Sequence, residues 1–474
     1  MNIILIVSDT FRQDYLGCYG NNWIKTPNLD KFARKSAIFG NAYAASFPTV
    51  PHRMDLATGR FTFPYREWEP LPQDEVVVSE ILGQHNYTTM LICDTPHILK
   101  DGYNFDRGFT GWEWIRGQVT DRFQTDPAEV SLPCSPEKLR HLEVLKLHLR
   151  NIAHRQGEKD CFVAQTMSKA AQWLERNYKQ DKFFLWVDTF DPHEPWDPPR
   201  YYVDMYDPNY KGEEVTYPKY GKCGFLTAEE IKHMRALYAG EVTLVDRWIG
   251  FLLEEIERLG LFDNTAVIFT SDHGFYFGEH NLVGKATITD HIFEYVSLYE
   301  EIARIPLLVY LPKLRKSSRY SALVQPPDIT AAVLDLAGVK DLGLVQGKSL
   351  VPIIEGKKDK LRDISVTSPS LVHGTWGIPR VTVRKDDWSF ISTPAIPERP
   401  HILEKEKRKT RAVDGIVREM HTSALVEMRG KLQDELYCLS KDPKQSLNLV
   451  DKEKEGVKKL RDEFDQFFHS VCPD

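Results

Sequence analysis

The chain has 474 residues, 42% hydrophobic and 27% charged, with a formal net charge of -7. That length allows a sizeable core, built as two or three domain-sized units or as one large α/β domain with an appendage. The mild acidity removes any general electrostatic reason to bind nucleic acid, and no apolar run approaches the roughly 18 residues of a membrane span. The N-terminus lacks the basic region, long apolar stretch and cleavage site of a signal peptide, so a soluble, cytoplasmic protein is expected. The seven cysteines (Cys18, Cys93, Cys134, Cys161, Cys223, Cys438 and Cys472) show no CxxC spacing. In a reducing compartment they read as free thiols.

In chain order, Ile3 to Ser8 is a short apolar strand ending at Asp9. Asn28 to Lys35 and Val76 to His85 have helical spacing, and Thr88 to Cys93 predicts a strand. Residues 100–160 are irregular, aromatic and charged, and read as an insertion. Gln165 to Asn177 is helical, and the strand Phe183 to Val187 ends at Asp188. Thr227 and Glu230 have capping-box spacing. They open a long helix whose apolar residues recur from Leu237 to Ile256, with Gly260 as its stop. Thr265 to Thr270 is a buried strand running into Ser271-Asp272-His273-Gly274, and Ile305 to Leu311 is a strand closed by Pro312. Strands alternating with helices predict a mainly parallel sheet flanked by helices. After Gly356 the texture changes. Ile378 to Val383 and Ser389 to Ile391 look antiparallel, and 400–420 is a charged, solvated segment. The domain boundary is placed near 356–365.

Three strands end in polar chemistry: Asp9, Asp188 through His193, and Asp272-His273. Open α/β sheets form sites outside the carboxyl ends of their strands. Carboxylates and imidazoles converging there suit a divalent metal, although a strand-end Asp alone is more often a helix cap. A fourth segment, Ser46-Phe47-Pro48-Thr49-Val50-Pro51-His52-Arg53, places a hydroxyl four residues before a guanidinium. A metal-activated oxygen nucleophile beside a cation is one reading. A helix-capping Thr with Arg in a surface pair is the other.

With these segments in order, the chain resembles the sulfatase family, a branch of the alkaline-phosphatase superfamily, over nearly its whole length. Asn2 to Asp9 looks like the family's first strand and metal aspartate. Gly17-Cys18-Tyr19-Gly20, Thr26-Pro27-Asn28-Leu29-Asp30 and Asn41-Ala42-Tyr43 look like the segments that follow. Thr49-Val50-Pro51-His52-Arg53 and Thr58-Gly59-Arg60 stand where the family has Cys/Ser-x-Pro-Ser-Arg and Thr-Gly-Arg. Asp191-Pro192-His193-Glu194-Pro195, Thr270 to Gly274, Gly278-Glu279-His280 and Gly284-Lys285 resemble its later site segments. Arg304-Ile305-Pro306 follows in place, and Glu435-Leu436-Tyr437, Asp442-Pro443 and Asn448-Leu449 resemble the end of its smaller domain. The implied fold is α/β. A large mixed, mainly parallel sheet is sandwiched by helices over residues 1–360, and a smaller C-terminal α+β domain with an antiparallel sheet spans 361–474.

The departures from the family pattern bear on chemistry. Sulfatases oxidise the motif Cys or Ser to formylglycine. Thr49 carries a methyl on its β-carbon, so formylglycine is not expected, and a plain hydroxyl can still attack phosphorus. Thr10 replaces a second Asp, and His273 replaces the usual Asn. Both match the phosphonate monoester hydrolase/phosphodiesterase branch. Cys93-Asp94-Thr95-Pro96-His97 lacks an expected lysine and leaves His97 in its neighbourhood. Cys134-Ser135-Pro136 starts like the nucleophile motif, but Lys138 stands where Arg belongs, so it reads as a loop.

The resemblance then implies one divalent ion (Mn, Zn, Ca or Mg) on Asp9, Asp272, His273 and Thr49. Arg53 and Lys285 would neutralise the ester oxygens, and His193, or His97, would act as general acid. His280 is a candidate substrate contact or a surface residue, and His52 a proton-transfer aid or a spacer. A second metal on Asp188 or Asp191 with His193 is the variant. The expected activity is hydrolysis of a phosphodiester or phosphonate monoester through a covalent Thr49 intermediate. The alternatives are a sulfuric ester hydrolase using unmodified Thr49 and a non-catalytic anion- or partner-binding descendant. The expected partner is a small anionic ester, and homo-oligomer formation is left open. Trp112, Trp114, Trp196, Tyr201 and Tyr202 read as core, or else as a wall for the leaving group.

Overall fold

Alternation of side chains along three central strands decides the layering. In Asn2–Ser8, Ile4 and Ile6 enter one apolar core while Ile3, Leu5 and Val7 enter another. Phe183–Thr189 and Thr265–Ser271 divide in the same way. A strand buried on both faces needs this continuous apolar composition. The first core is completed by the helices Phe162–Asn177 and Ala228–Arg258, the second by Thr49–Thr58 and Pro326–Leu336. The computed structural model describes residues 1–127, 129–289, 292–312, 314, 317–340, 343–372, 379–393 and 432–472.

The central sheet has eight strands in the order Ser318–Tyr320, Ala37–Phe39, Leu307–Tyr310, Thr265–Ser271, Asn2–Ser8, Phe183–Thr189, Thr88–Cys93, Gly111–Trp114. Only Leu307–Tyr310 runs against its neighbours. Register places Ser8 opposite both Thr189 and Ser271, so Asp9 and Asp272 emerge level with each other. Cys93 is opposite Asp188.

A second sheet of five strands runs Glu435–Cys438, Trp388–Ser392, Val381–Lys385, Ser365–Pro369, Ser46–Phe47. It is antiparallel except at its last pair. The helix Lys454–Val471 packs on it through Leu460, Phe464 and Phe468. Ser46–Phe47 belongs to the N-terminal part of the chain, so this smaller sheet reaches directly to the residues preceding Thr49.

The predicted elements appear with small changes of boundary. The long helix starts as expected, with Thr227 Oγ1 accepting from Glu230 N at 3.1 Å and Glu230 Oε2 accepting from Thr227 N at 2.9 Å. Thr227→Ala should cost about 1 kcal/mol. It should appear as a lower denaturation midpoint with an unchanged slope.

Two expectations need correction. Residues 100–160 are not simply irregular, because Gly111–Trp114 joins the edge of the central sheet and Leu142–Ile152 is a helix. Trp112 and Tyr201 are not core residues, with 50% and 53% of their surface exposed. Trp196 and Tyr202 are buried as expected. The segment 400–420 lies outside the described residues, as does the first residue of the strand read at Ile378 to Val383. Cys18, Cys93, Cys134, Cys161, Cys223 and Cys438 are free thiols, and among the described residues no helix is long and apolar enough to cross a membrane.

Candidate active site

Thr49 is the first residue of the helix Thr49–Thr58, with Pro48 as its N-cap. An oxygen at that position lies at the positive end of the helix dipole, which favours an alkoxide or a bound anion. Pro51 falls in the first turn, where a missing N–H costs nothing. The turn is held by Asp55, whose carboxylate accepts from Ser46 N and Oγ, each at 2.7 Å, and from Thr62 N and Oγ1 at 2.8 and 2.7 Å. Asp55→Ala would leave two buried backbone donors without partners. It should cost about 3 kcal/mol, read as a fall in unfolding free energy.

Asp9, Asp272 and His273 form the one group among the described residues whose donor atoms lie close enough to hold a metal ion, within 4.8 Å of one another. Thr10 organises it. Its backbone is left-handed, with φ of 58°, and Tyr238 Oη donates to its carbonyl at 2.7 Å. In that conformation Thr10 N donates to Asp272 Oδ1 at 2.8 Å and Thr10 Oγ1 to Asp9 Oδ1 at 2.7 Å. His273 Nδ1 lies 3.0 Å from the carbonyl of Gly274. A carbonyl only accepts, so the proton sits on Nδ1 and the lone pair of Nε2 faces the carboxylates. Burial keeps this imidazole neutral, its pKa lowered to about 3 with Asp272 opposing.

The charge balance also fits a cation. Three completely buried carboxylates, Asp9, Asp188 and Asp272, surround the single guanidinium of Arg53. Burial, and then the facing Asp272, push Asp9 well above the usual carboxylate range. Burial acts on Asp272 in the same direction, but the charge of Arg53 holds it well below that range. Two carboxylates and a neutral imidazole with negative charge in excess suit Mn, Zn, Ca or Mg.

A cavity of about 130 Å³ opens beside this group, lined by Thr49, His97, His193 and Lys285 among others. Lys285 Nζ lies 2.9 Å from His193 Nε2 and 3.3 Å from His273 Nε2. His193 Nδ1 is 2.6 Å from the carbonyl of Glu194, so His193 Nε2 accepts the Lys285 proton. Burial, then Lys285, lower the His193 pKa, and burial lowers that of Lys285. Gly284 makes the approach of Lys285 possible. Its φ is 99°, and a Cβ there would come within 2.4 Å of the Tyr220 ring.

Other expected site residues lie elsewhere. Arg53 does not line the cavity. Its guanidinium contacts Asp9 at 2.9 Å, Asp188 at 3.0 Å, and Asp272, and reaches back to Thr49 O at 3.5 Å. As placed it is the counter-ion of the carboxylates, not a clamp on ester oxygens. His280 is also outside, 3.3 Å from Glu301 Oε2 and stacked on Tyr299. Asp188 is spent on Arg53 and Thr95, and Asp191 on Gln118 and Val163, so neither turns toward a second metal with His193. His52 is buried and neutral, off the cavity, with both ring nitrogens lacking a partner among the described residues. Cys134, which reads as a loop residue in the sequence, is buried in the apolar cluster behind the cavity wall and does not line the cavity.

Two contributors were not anticipated. Glu194 Oε1 accepts from Arg140 at 2.8 Å and from Tyr220 Oη, and its main chain orients His193. Its only sequence signal is adjacency to His193. Arg140 lines the cavity from the insertion, where no motif marks it.

The parallel sheet, the level carboxylates at its strand ends and the buried Asp/Asp/His group define an alkaline-phosphatase-like α/β fold. The family model described as Sulfatase matches residues 1–339, and the chain belongs to the sulfatase family, whose members hydrolyse ester bonds. An arylsulfatase of Clostridium perfringens is 28% identical over 411 residues, covering 76% of this chain and 80% of its own. The phosphonate monoester hydrolase of Agrobacterium radiobacter superposes with a TM-score of 0.69 at 19% identity, covering 99% of this chain and 95% of its own. A structure in complex with its substrate D-glucosamine-2-N,6-O-disulfate superposes with a TM-score of 0.68 at 20% identity, covering 100% and 99% of the two chains. These two likenesses concern fold.

Proposed function

We propose that the chain hydrolyses phosphoric esters, as a phosphodiesterase or phosphonate monoester hydrolase, through a covalent intermediate on Thr49. The observation that carries this reading is Thr49 itself, an unoxidised secondary alcohol at a helix N-terminus, in one cavity with His193 and Lys285. Thr49 gives its hydroxyl proton to solvent as Oγ1 bonds to phosphorus and the ester P–O bond breaks, and the departing oxygen takes a proton from the Lys285–His193 pair. Water then attacks the phospho-threonine: its hydroxyl stays on phosphorus, its other proton returns to the Lys285–His193 pair, and Thr49 Oγ1 leaves phosphorus and regains a proton from solvent. Asp9, Asp272 and His273 would hold a divalent cation, and such an ion would supply positive charge that favours the Thr49 alkoxide and offsets charge on the phosphoryl group. Lys285 contributes a second cation at the cavity. His97, stacked on Phe190, lines the leaving-group side. The substrate is a small anionic ester.

A sulfuric ester would follow the same first step but leave a threonine sulfate. That ester lacks the hemiacetal hydroxyl through which formylglycine expels sulfate, so turnover stalls. Matched 4-nitrophenyl esters test the reading: a methylphosphonate, a phosphodiester and a sulfate. The phosphorus esters should turn over repeatedly and the sulfate at most once per site. Repeated turnover of the sulfate alone would refute the assignment. Metal binding with no turnover of any ester would favour the non-catalytic descendant.

A further inference from the structure

The cavity has a second side that the chemistry above does not use. Four rings form a continuous file ending at the proposed proton donor. Trp68 meets His97 edge-on at 5.5 Å, His97 stacks on Phe190 at 5.4 Å, and Phe190 stacks on His193 at 4.0 Å. All four line or abut the space in front of Thr49, and Val119, Val144 and Ile288 add branched apolar surface. With the Lys285–His193 pair in the proposed role of proton donor, the group attached to the departing oxygen lies along this file. Three of the wall residues, Val119, Phe190 and Val144, pack into one apolar cluster that also contains Leu139, Leu145 and Tyr217. The wall is thus a packed surface and not a set of loose side chains.

Charge and size narrow the occupant. Lys285 and Arg140 are the lysine and arginine of the lining, and no Asp or Glu is among the described lining residues. Arg140 is fixed by Glu194 at 2.8 Å and lies over the rings of Tyr217 and Tyr220 at 4.5 and 4.1 Å. A cationic leaving group is therefore disfavoured. The cavity of about 130 Å³ compares with apolar cavities of about 150 Å³ that accept benzene. Thr120, His141, Ser370 and the tyrosine hydroxyls add polar groups to a lining that is otherwise mostly ring face and branched carbon, so the several hydroxyls of a sugar unit would lose more water contacts than they regain.

We propose that the leaving-group subsite, formed by Trp68, His97, Phe190, Val119, Val144 and Ile288, takes one uncharged apolar ring and excludes sugar units. This rests on the reading of Thr49, His193 and Lys285 as the reacting end of the same cavity. The test uses methylphosphonate monoesters of benzyl alcohol and of the glucose 6-hydroxyl. Both expel primary alkoxides, so intrinsic reactivity is matched. The benzyl ester should be favoured about 100-fold in kcat/KM. Val144→Trp, which fills the slot, should lower the benzyl-to-methyl ester ratio about 10-fold. Equal or better use of the glucose ester, or an unchanged ratio in Val144→Trp, would overturn the proposal. The corresponding sulfates separate the two claims. If only sulfates turn over but benzyl is still preferred, the phosphorus reading fails and the slot stands. If no ester turns over, calorimetric binding of the two phosphonates decides, and equal affinity, or tighter glucose ester, overturns the slot.

Discussion

Thr49→Ala should lower kcat/KM for a methylphosphonate monoester by on the order of 10⁴-fold, the scale seen when a covalent nucleophile is removed. The metal should stay bound, because Asp9, Asp272 and His273 are untouched. Folding should be little affected, since the cap of this helix is Pro48 and its turn is held by Asp55. Thr49→Ser keeps the hydroxyl and should retain most of the activity. Steady-state kinetics alongside metal analysis by mass spectrometry checks all three points. Equal activity in wild type and Thr49→Ala would mean that the attacking oxygen comes from water.

Asp272→Asn should lose the metal and at least about 10³-fold in activity. The amide keeps the shape and can still accept from Thr10 N and His273 N, which donate to Oδ1 at 2.8 and 2.7 Å. It removes one of three negative charges around Arg53 and the stronger of the two acidic donors. A linked effect follows from Asp9. Burial, and then Asp272, raise its pKa, so a proton competes with the ion for Asp9 as pH falls. Affinity for the metal should rise with pH until Asp9 is ionised without the ion and level off above that point. Calorimetry in buffers of different ionisation enthalpy should show proton release on binding, and Asp9→Asn should abolish that release. Binding with no proton release would contradict the predicted state of Asp9.

What could be read from the sequence follows the strength of its local signals. Ile3 to Val7, Phe183 to Val187 and Thr265 to Phe269 are apolar on both faces, so strand, burial and sheet position come together. The Thr227 capping box announced its helix for an equally local reason. Edge elements carry no such signal. Ala37–Phe39 and Ser318–Tyr320 are three residues each, and Gly111–Trp114 becomes a strand only through pairing with Thr88–Cys93. The site divides along the same line. Asp9, Asp272 and His273 converge because level strands end together, which the pattern of strand-end carboxylates foretold. The direction taken by Arg53 depends on three carboxylates from three strands competing for one guanidinium, and residue spacing cannot encode that. His280 follows Gly278 and Glu279 in a motif-like segment, yet its turn aims it at Glu301 and Tyr299. Arg140 and Glu194 meet only after the insertion folds over the His193 loop.

The central claim is that Thr49 becomes esterified to phosphorus. Intact mass after rapid acid quench of the metal-loaded protein, mixed with a methylphosphonate monoester, tests it most directly. The account predicts a methylphosphonyl-sized mass increase that peptide mapping places on Thr49, absent in Thr49→Ala and declining as substrate is exhausted. Turnover with no adduct at any time, or an adduct that maps to another residue, would contradict it.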